Sequence, residues 1–421
     1  MRSLYNLLLI LLLPLFLVIA AVRAKRQTGS WGPVRGRLGL VSVQSGDNVF
    51  WVHASSVGEM QAAVPLVKAL AAGYPEARLI VTSFTASGMQ RARAAFGETV
   101  EIAPLPYDLP LFNRLFLERV RPRVLIVMET EVWPNLFRQA AARDIPVLLV
   151  SARMTEKSAR RYARISRLVR DALAAVRYVG AQSARDGERF RSLGVPRERV
   201  TVSGNLKFDI PESAETREQG QALRGLLFAG AQVLVAASTR VGEDEIVLDA
   251  FRQVRRRHPD ARLVIVPRHP ERGAAIVALA REAGFSVAQR SVDEPAALAD
   301  VHVIDTIGEL NAFYAAADAC FVGGSLVPVG GHNLLEPASL GIPIVTGTHH
   351  FATPDIFREM REAEAIMVAR DAASLAHAWN ELLDDPVLRD ELGQTARAIV
   401  ERNRGALAAV MRDLQPFLPA A

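Results

Sequence analysis

The chain has 421 residues, 50% of them hydrophobic and 6% aromatic, with a formal net charge of +5. That length predicts two domains rather than one core, and the single cysteine, Cys320, excludes a disulfide framework and fits a reducing compartment. The small total hides an asymmetry: residues 1–210 carry 30 Lys and Arg against 16 Asp and Glu, net +14, leaving 20 against 29, net −9, for residues 211–421. The first half should favour an anionic partner or surface.

The first predicted element is the uncharged run Leu4 to Val22, 19 residues long, close to the roughly 20 that a membrane-spanning helix needs. Val22-Arg23-Ala24 resembles a signal-peptide cleavage site, but the apolar run exceeds the usual core of about 7–15 residues, so a retained anchor is the favoured reading. Arg23, Lys25, Arg26, Arg35 and Arg37 follow the run against Arg2 before it, which places the body on the cytoplasmic side.

From Asn48 onward, short apolar strands alternate with amphipathic helices, the pattern of parallel α/β sheets. Strands are predicted at Val49–His53, Leu79–Ser83, Val100–Ala103, Val124–Met128, Val147–Val150 and Val200–Val202. Between the last two, Arg153, Lys157, Arg160, Arg161, Arg164, Arg167 and Arg170 recur at helical spacing and put several positive charges on one face. A polar stretch, Pro211 to Gly220, separates this half from further strands at Val233–Ala237, Leu263–Pro267, Val301–Ile304, Ala319–Val322 and Ile344–Thr346. The domains therefore read as an anchor over 1–26, a first α/β domain over 27–210 and a second over 211–421, its last helices packing back across the junction.

Ligands of open α/β sheets bind beyond the carboxyl ends of strands, which singles out the polar residues there. In the first half these are Ser55, Ser56 and Glu59, then Glu129 and Glu131, then Lys207. Glu59, early in a helix, is a candidate general base, with dipole complementation as the competing role. In the second half they are Ser238-Thr239-Arg240, Pro267-Arg268, Ile307-Gly308-Glu309 and the loop Val322 to Pro337. The glycines of that loop predict amides and a helix N-terminus facing a phosphate, with Glu336 free for a ribose diol. Taken together these describe a nucleotide pocket. No P-loop, Asp-x-Asp pair, zinc-ligand cluster or Gly-x-Ser-x-Gly occurs, so neither a metal nor a cofactor is expected.

The segments His53–Glu59, Glu129–Asn135, Ser203–Asp209, Val266–Arg272 and Gly330–Pro337 resemble, in order and spacing, the 3-deoxy-D-manno-octulosonic acid (Kdo) transferases of lipid A assembly. The resemblance implies a GT-B glycosyltransferase: two Rossmann-like α/β domains facing a cleft, with an N-terminal membrane anchor helix. It implies inverting transfer of Kdo from CMP-Kdo to a tetraacylated lipid A precursor, lipid IVA, at the inner membrane, with no nucleic-acid partner. Glu59 matches the catalytic base. Pro267, Arg268, Ile307, Gly308, Glu309, Asn333, Leu334, Leu335 and Glu336 match positions that hold CMP, while Ser55, Ser56, Glu129 and Lys207 fall in motifs that line the sugar site. The alternatives are a sugar-nucleotide epimerase or hydrolase of the same fold, disfavoured by the anchor, and a membrane-tethered non-catalytic binding protein, disfavoured by Glu59, Glu129 and Glu309.

Overall fold

The structure, a computed structural model, describes all residues except 28–31, 44–45, 47, 210–213, 229, 293–298 and 420–421. The predicted boundary at residues 210–211 falls outside the described residues. The chain divides into two compact units, one made of Met1–Asp209 with Asn403–Ala421, the other of Ile210–Arg402.

The first unit holds strands β1 (Val49–His53), β2 (Arg78–Ser83), β3 (Glu101–Pro104), β4 (Val124–Met128), β5 (Val147–Ala152), β6 (Val176–Ala181) and β7 (Val200–Val202). They form one parallel sheet in the order β3-β2-β1-β4-β5-β6-β7. Alternate side chains face opposite sides of a sheet, and here both sides are apolar. Val49, Trp51, Leu125, Val127, Val147 and Leu149 enter one core, while Phe50, Val52, Ile126, Leu148 and Val150 enter another. A continuous apolar strand needs a helix layer on each face, which the intervening helices supply. The chain reverses its direction of winding between β1 and β4, and loops leaving those two strands part to open a crevice.

The last helix, Ala406–Leu414, belongs to this unit: Ala406, Val410 and Leu414 lie in the same core as Phe50 and Leu66. Asp209 caps it, accepting from the Gly405 N–H at 2.9 Å and from that of Leu407. At the other terminus the helix Arg2–Gln27 is long and apolar enough to cross a membrane. One stripe of it touches the unit. Tyr5 donates to Asp108 Oδ2 at 3.0 Å, Asn135 Nδ2 donates to Asn6 Oδ1 at 2.7 Å, and the Phe16 ring stacks on Tyr107. Leu4, Leu7, Leu8, Leu11, Leu15 and Val18 remain exposed.

The second unit repeats the architecture with β8 (Val233–Thr239), β9 (Arg262–Pro267), β10 (Val287–Gln289), β11 (Val301–Val303), β12 (Ala319–Val322), β13 (Ile344–Thr346) and β14 (Ile366–Val368). The order is β10-β11-β9-β8-β12-β13-β14, all parallel, so the winding reverses between β8 and β12. Strands β6, β10 and β14 were not among those predicted. β6 carries the exposed Arg177 in an otherwise buried run, and β10 and β14 are edge strands of three residues each, too short to show a period.

Candidate active site

The β1–β4 crevice collects the acidic residues of the first unit. Ser56 caps the helix Val57–Gly73, its hydroxyl accepting from the Glu59 N–H, and Glu59 bends back so that Oε2 accepts from the Ser55 N–H at 2.7 Å. This is close to a reciprocal capping box, worth about 1 kcal/mol of helix stability. Glu59 thus serves local structure and still turns a carboxylate towards two others. Burial, first, and then the charges of Glu131 and Glu129 push its pKa up to about 7, against the Ser55 N–H and Lys207, which pull it down.

Glu129 follows β4 with φ 56, a left-handed conformation costing a non-glycine residue about 1–3 kcal/mol. The turn aims its carboxylate at Lys207, whose Nζ lies 2.5 Å from Oε1. Lys207 is placed by its own neighbours. Asn205 accepts from the Lys207 N–H at 3.0 Å, and Ser151, also left-handed at φ 50, accepts from the Leu206 N–H at 3.4 Å. Glu131 is held between the buried His53, 2.8 Å from Nε2, and Trp133 Nε1 at 2.9 Å. Burial works to raise its pKa, but bonds from His53, Ser55 and Trp133 hold it below the usual carboxylate range. A carboxylate held below its usual range, Glu131, beside one that takes a proton near neutrality, Glu59, makes a setting for proton transfer. Ser55, Ser56, Glu59, Glu129, Glu131 and Lys207, the residues singled out in this half, are brought together.

The β8–β12 crevice carries the second constellation, and here the glycine loop departs from expectation. The buried Glu243 places Oε2 2.9 Å from the Arg240 N–H and 2.7 Å from that of Gly324. Its Oε1 lies 2.9 Å from the N–H groups of both Ser325 and Leu326. The anion in this amide nest is the protein's own carboxylate, so these amides do not face a ligand phosphate. Gly330 and Gly331 likewise spend their N–H groups on the Gly324 carbonyl.

The remaining predicted residues divide. Pro267 ends β9, buried, and Arg268 after it is exposed. Partial burial raises the pKa of Glu336, while the Asn333 amide at 3.0 Å and the charge of Arg268 pull it down. Asn333 Oδ1 accepts from the Leu335 N–H at 3.1 Å, and the side chains of Leu334 and Leu335 are core. Glu309 has different partners, Arg290 at 2.7 Å and the Thr306 hydroxyl, and these bonds hold its carboxyl below the usual range. Ile307 is 88% exposed, and Gly308, at φ 98, has open space where a side chain would stand.

Residues 33–210 match the family model described as 3-deoxy-D-manno-octulosonic-acid transferase (kdotransferase), and residues 240–399 match glycosyl transferases group 1. The 3-deoxy-D-manno-octulosonic acid transferase of Haemophilus influenzae is 36% identical over 422 residues, covering 99% of each chain. That of Bordetella pertussis is 37% identical over 432 residues, again 99% of each. The chain belongs to the Kdo transferase family. A solved UDP-GlcNAc 2-epimerase from Neisseria meningitidis, 14% identical, shares the fold, with a TM-score of 0.55 over 88% of this chain and all of that one.

As a Kdo transferase the protein is a glycosyltransferase, and its two seven-stranded α/β units are the GT-B architecture. Glu243, which fills the nest, and Arg290, which holds Glu309, were not predicted as site residues. Arg240, singled out with Ser238 and Thr239 after β8, donates to His269 Nε2 at 2.6 Å and to His332 Nε2 at 3.3 Å. Each acts through a partner distant in the chain. The only signal for Arg240 and Glu243 was their place after β8, at the point where winding reverses.

Proposed function

We propose that this enzyme transfers Kdo from CMP-Kdo to the tetraacylated lipid A precursor lipid IVA during lipopolysaccharide biosynthesis, with inversion and with Glu59 as general base. The observation that carries this reading is Glu59 itself. It is fixed by the Ser55 N–H, sits in the field of Glu131 and Glu129, and has its proton affinity raised to about 7, where a carboxylate can both take and release a proton at neutral pH.

The acceptor hydroxyl attacks the anomeric carbon of Kdo and gives its proton to Glu59. The bond from that carbon to the phosphate oxygen breaks, and CMP departs with the electron pair on the opposite face. Lys207, tied to Glu129, supplies positive charge beside the base. Residues 27–210 take the acceptor and residues 211–421 the CMP-sugar, in which Pro267, Arg268, Ile307–Glu309 and Asn333–Glu336 hold the nucleotide. Arginine answers the phosphate charge, so the reaction needs no metal and should survive a chelator. The helix Arg2–Gln27 anchors the enzyme on the cytoplasmic face of the inner membrane, supported by its exposed leucines and the basic residues after it.

The test is turnover of CMP-Kdo with lipid IVA, products read by mass, for the intact protein and Glu59→Gln. Transfer by the first, and about 10²–10⁴-fold slower transfer by the second with CMP binding retained, is the expected result. Equal activity of the two removes Glu59 as base. No transfer by the intact protein removes the reaction.

A further inference from the structure

The donor in the reading above, on which this inference rests, is the nucleotide ester of an ulosonic acid. In such a sugar C1 is a carboxyl group and C2 is the anomeric carbon. Phosphate ester and carboxylate therefore hang on one carbon, a feature that aldose nucleotides lack, and a site for this donor must receive two anions side by side.

The second unit cannot meet them with its glycine loop. The N–H groups of Gly324, Ser325 and Leu326 are held by Glu243 at 2.7, 2.9 and 2.9 Å, and those of Gly330 and Gly331 are spent on a carbonyl. The anions fall to side chains. Three arginines lie near this crevice, and Arg272 is already paired with Asp244. Among the described residues neither Arg240 nor Arg268 forms an ion pair.

Arg240 is held in an unusual manner. Nη1 donates to His269 Nε2 at 2.6 Å and Nε to His332 Nε2 at 3.3 Å, so two imidazole lone pairs orient the guanidinium. Burial and the neighbouring Arg240, Arg268 and His269 hold His332 down to about 4, so it orients Arg240 as a neutral ring. A carboxylate in its place would have cancelled the charge. Gly324 makes room for the arrangement: at φ 68, a Cβ there would stand 2.7 Å from His332 Cδ2. Two of the five guanidinium N–H groups are used, and the rest of the fork is available to a planar carboxylate.

We infer that Arg240 is the specificity-determining residue for the C1 carboxylate of the donor, with Arg268 on the phosphate and His332 and His269 as positioning residues. The structure thereby assigns recognition of the acid, as distinct from the nucleotide, to the loop after β8.

The test compares two ligands that differ by the acid sugar. Binding of CMP is measured by calorimetry, and KM and kcat for CMP-Kdo by initial rates, for the wild type, Arg240→Met, Arg240→Lys and Arg268→Met, with thermal melts confirming the fold. Loss of one charge-assisted bond corresponds to about 10- to 100-fold in affinity. Arg240→Met should leave CMP affinity within about threefold of wild type and raise the KM for CMP-Kdo by that factor, with a smaller change in kcat. Arg268→Met should weaken both ligands. Should Arg240→Met fail to fold, Arg240→Lys, which keeps charge but loses the fork, gives the same split at smaller size. Equal weakening of CMP and CMP-Kdo would put Arg240 on the phosphate and overturn the assignment, as would an unchanged KM. Failure of the underlying reading looks different: the wild type would bind CMP and transfer nothing.

Discussion

Glu59 carries opposing demands, and its pH behaviour follows from them. A general base works ionised, so kcat/KM should rise with pH through an apparent pKa of about 7, where an ordinary surface carboxylate would have reached its plateau well below pH 6. Lys207 pulls that value down and Glu131 pushes it up. Lys207→Met should therefore move the rising limb to higher pH, and Glu131→Gln to lower pH. A limb that stays put in both variants would assign it to another group. The same shift bears on stability with the opposite sign. The folded state holds the Glu59 proton more tightly than the unfolded chain, so stability is fullest below the ordinary value of 4.5 and falls as pH rises through about 7. Glu59→Gln should remove that slope, and the variant should melt higher than wild type at pH 8 although it has a poorer cap. At this scale the place of Glu129 was legible because it directly follows β4, a strand buried throughout, whereas Lys207 lies beyond the mostly exposed β7 and comes to Glu129 only through the fold. Glu243 was not, because its meaning lies in amides some eighty positions away, at Gly324 to Leu326. The glycines there were legible as a tight loop, but the anion they surround turned out to be internal.

Among the elements, the long central strands announce themselves because both faces are apolar over four or five consecutive residues. Edge strands β10 and β14, with one neighbour each, need few apolar residues and leave almost no trace. The last helices were expected to pack back across the junction, but which of them does so is not written in local pattern. Ala406–Leu414 follows the second unit in sequence, yet it buries its apolar face in the core of the first and is tied there by Tyr178 and Thr201, which donate to Asp413 at 2.7 and 3.1 Å. Removing residues 403–421 should thus destabilise the first unit and spare the second, which limited proteolysis with mass mapping would show as cleavage confined to residues 32–209. Asp209→Ala, which strips only the cap, should cost about 1 kcal/mol in a denaturant titration. Cleavage concentrated in 214–402 after the truncation would sink this division.

At the scale of the whole molecule, two features point at a membrane by different physics. The helix Arg2–Gln27 offers leucines, whose burial in lipid is insensitive to salt, and residues 1–210 offer a net charge of +14, whose attraction to anionic lipid is screened within about 10 Å at 0.1 M salt. The helix is not a free tether, since Tyr5 and Asn6 bond to Asp108 and Asn135 of the body. What remains after that stripe is occupied is the exposed row of leucines. Intact protein should consequently float with neutral and anionic vesicles alike, at low and high salt. A chain lacking residues 1–22 should float only with anionic vesicles, and should be released as salt rises from about 0.05 to 0.5 M, where the screening length falls severalfold. Because Asp108 then loses the Tyr5 hydroxyl, the truncated chain should also melt lower. Salt-resistant binding by the truncated chain would mean a second apolar contact on the body. No binding at any salt would mean that the basic excess of the first half serves the proposed lipid acceptor alone, and a competition between soluble polyphosphate and vesicles, read by flotation of the intact protein, then has only the helix left to explain.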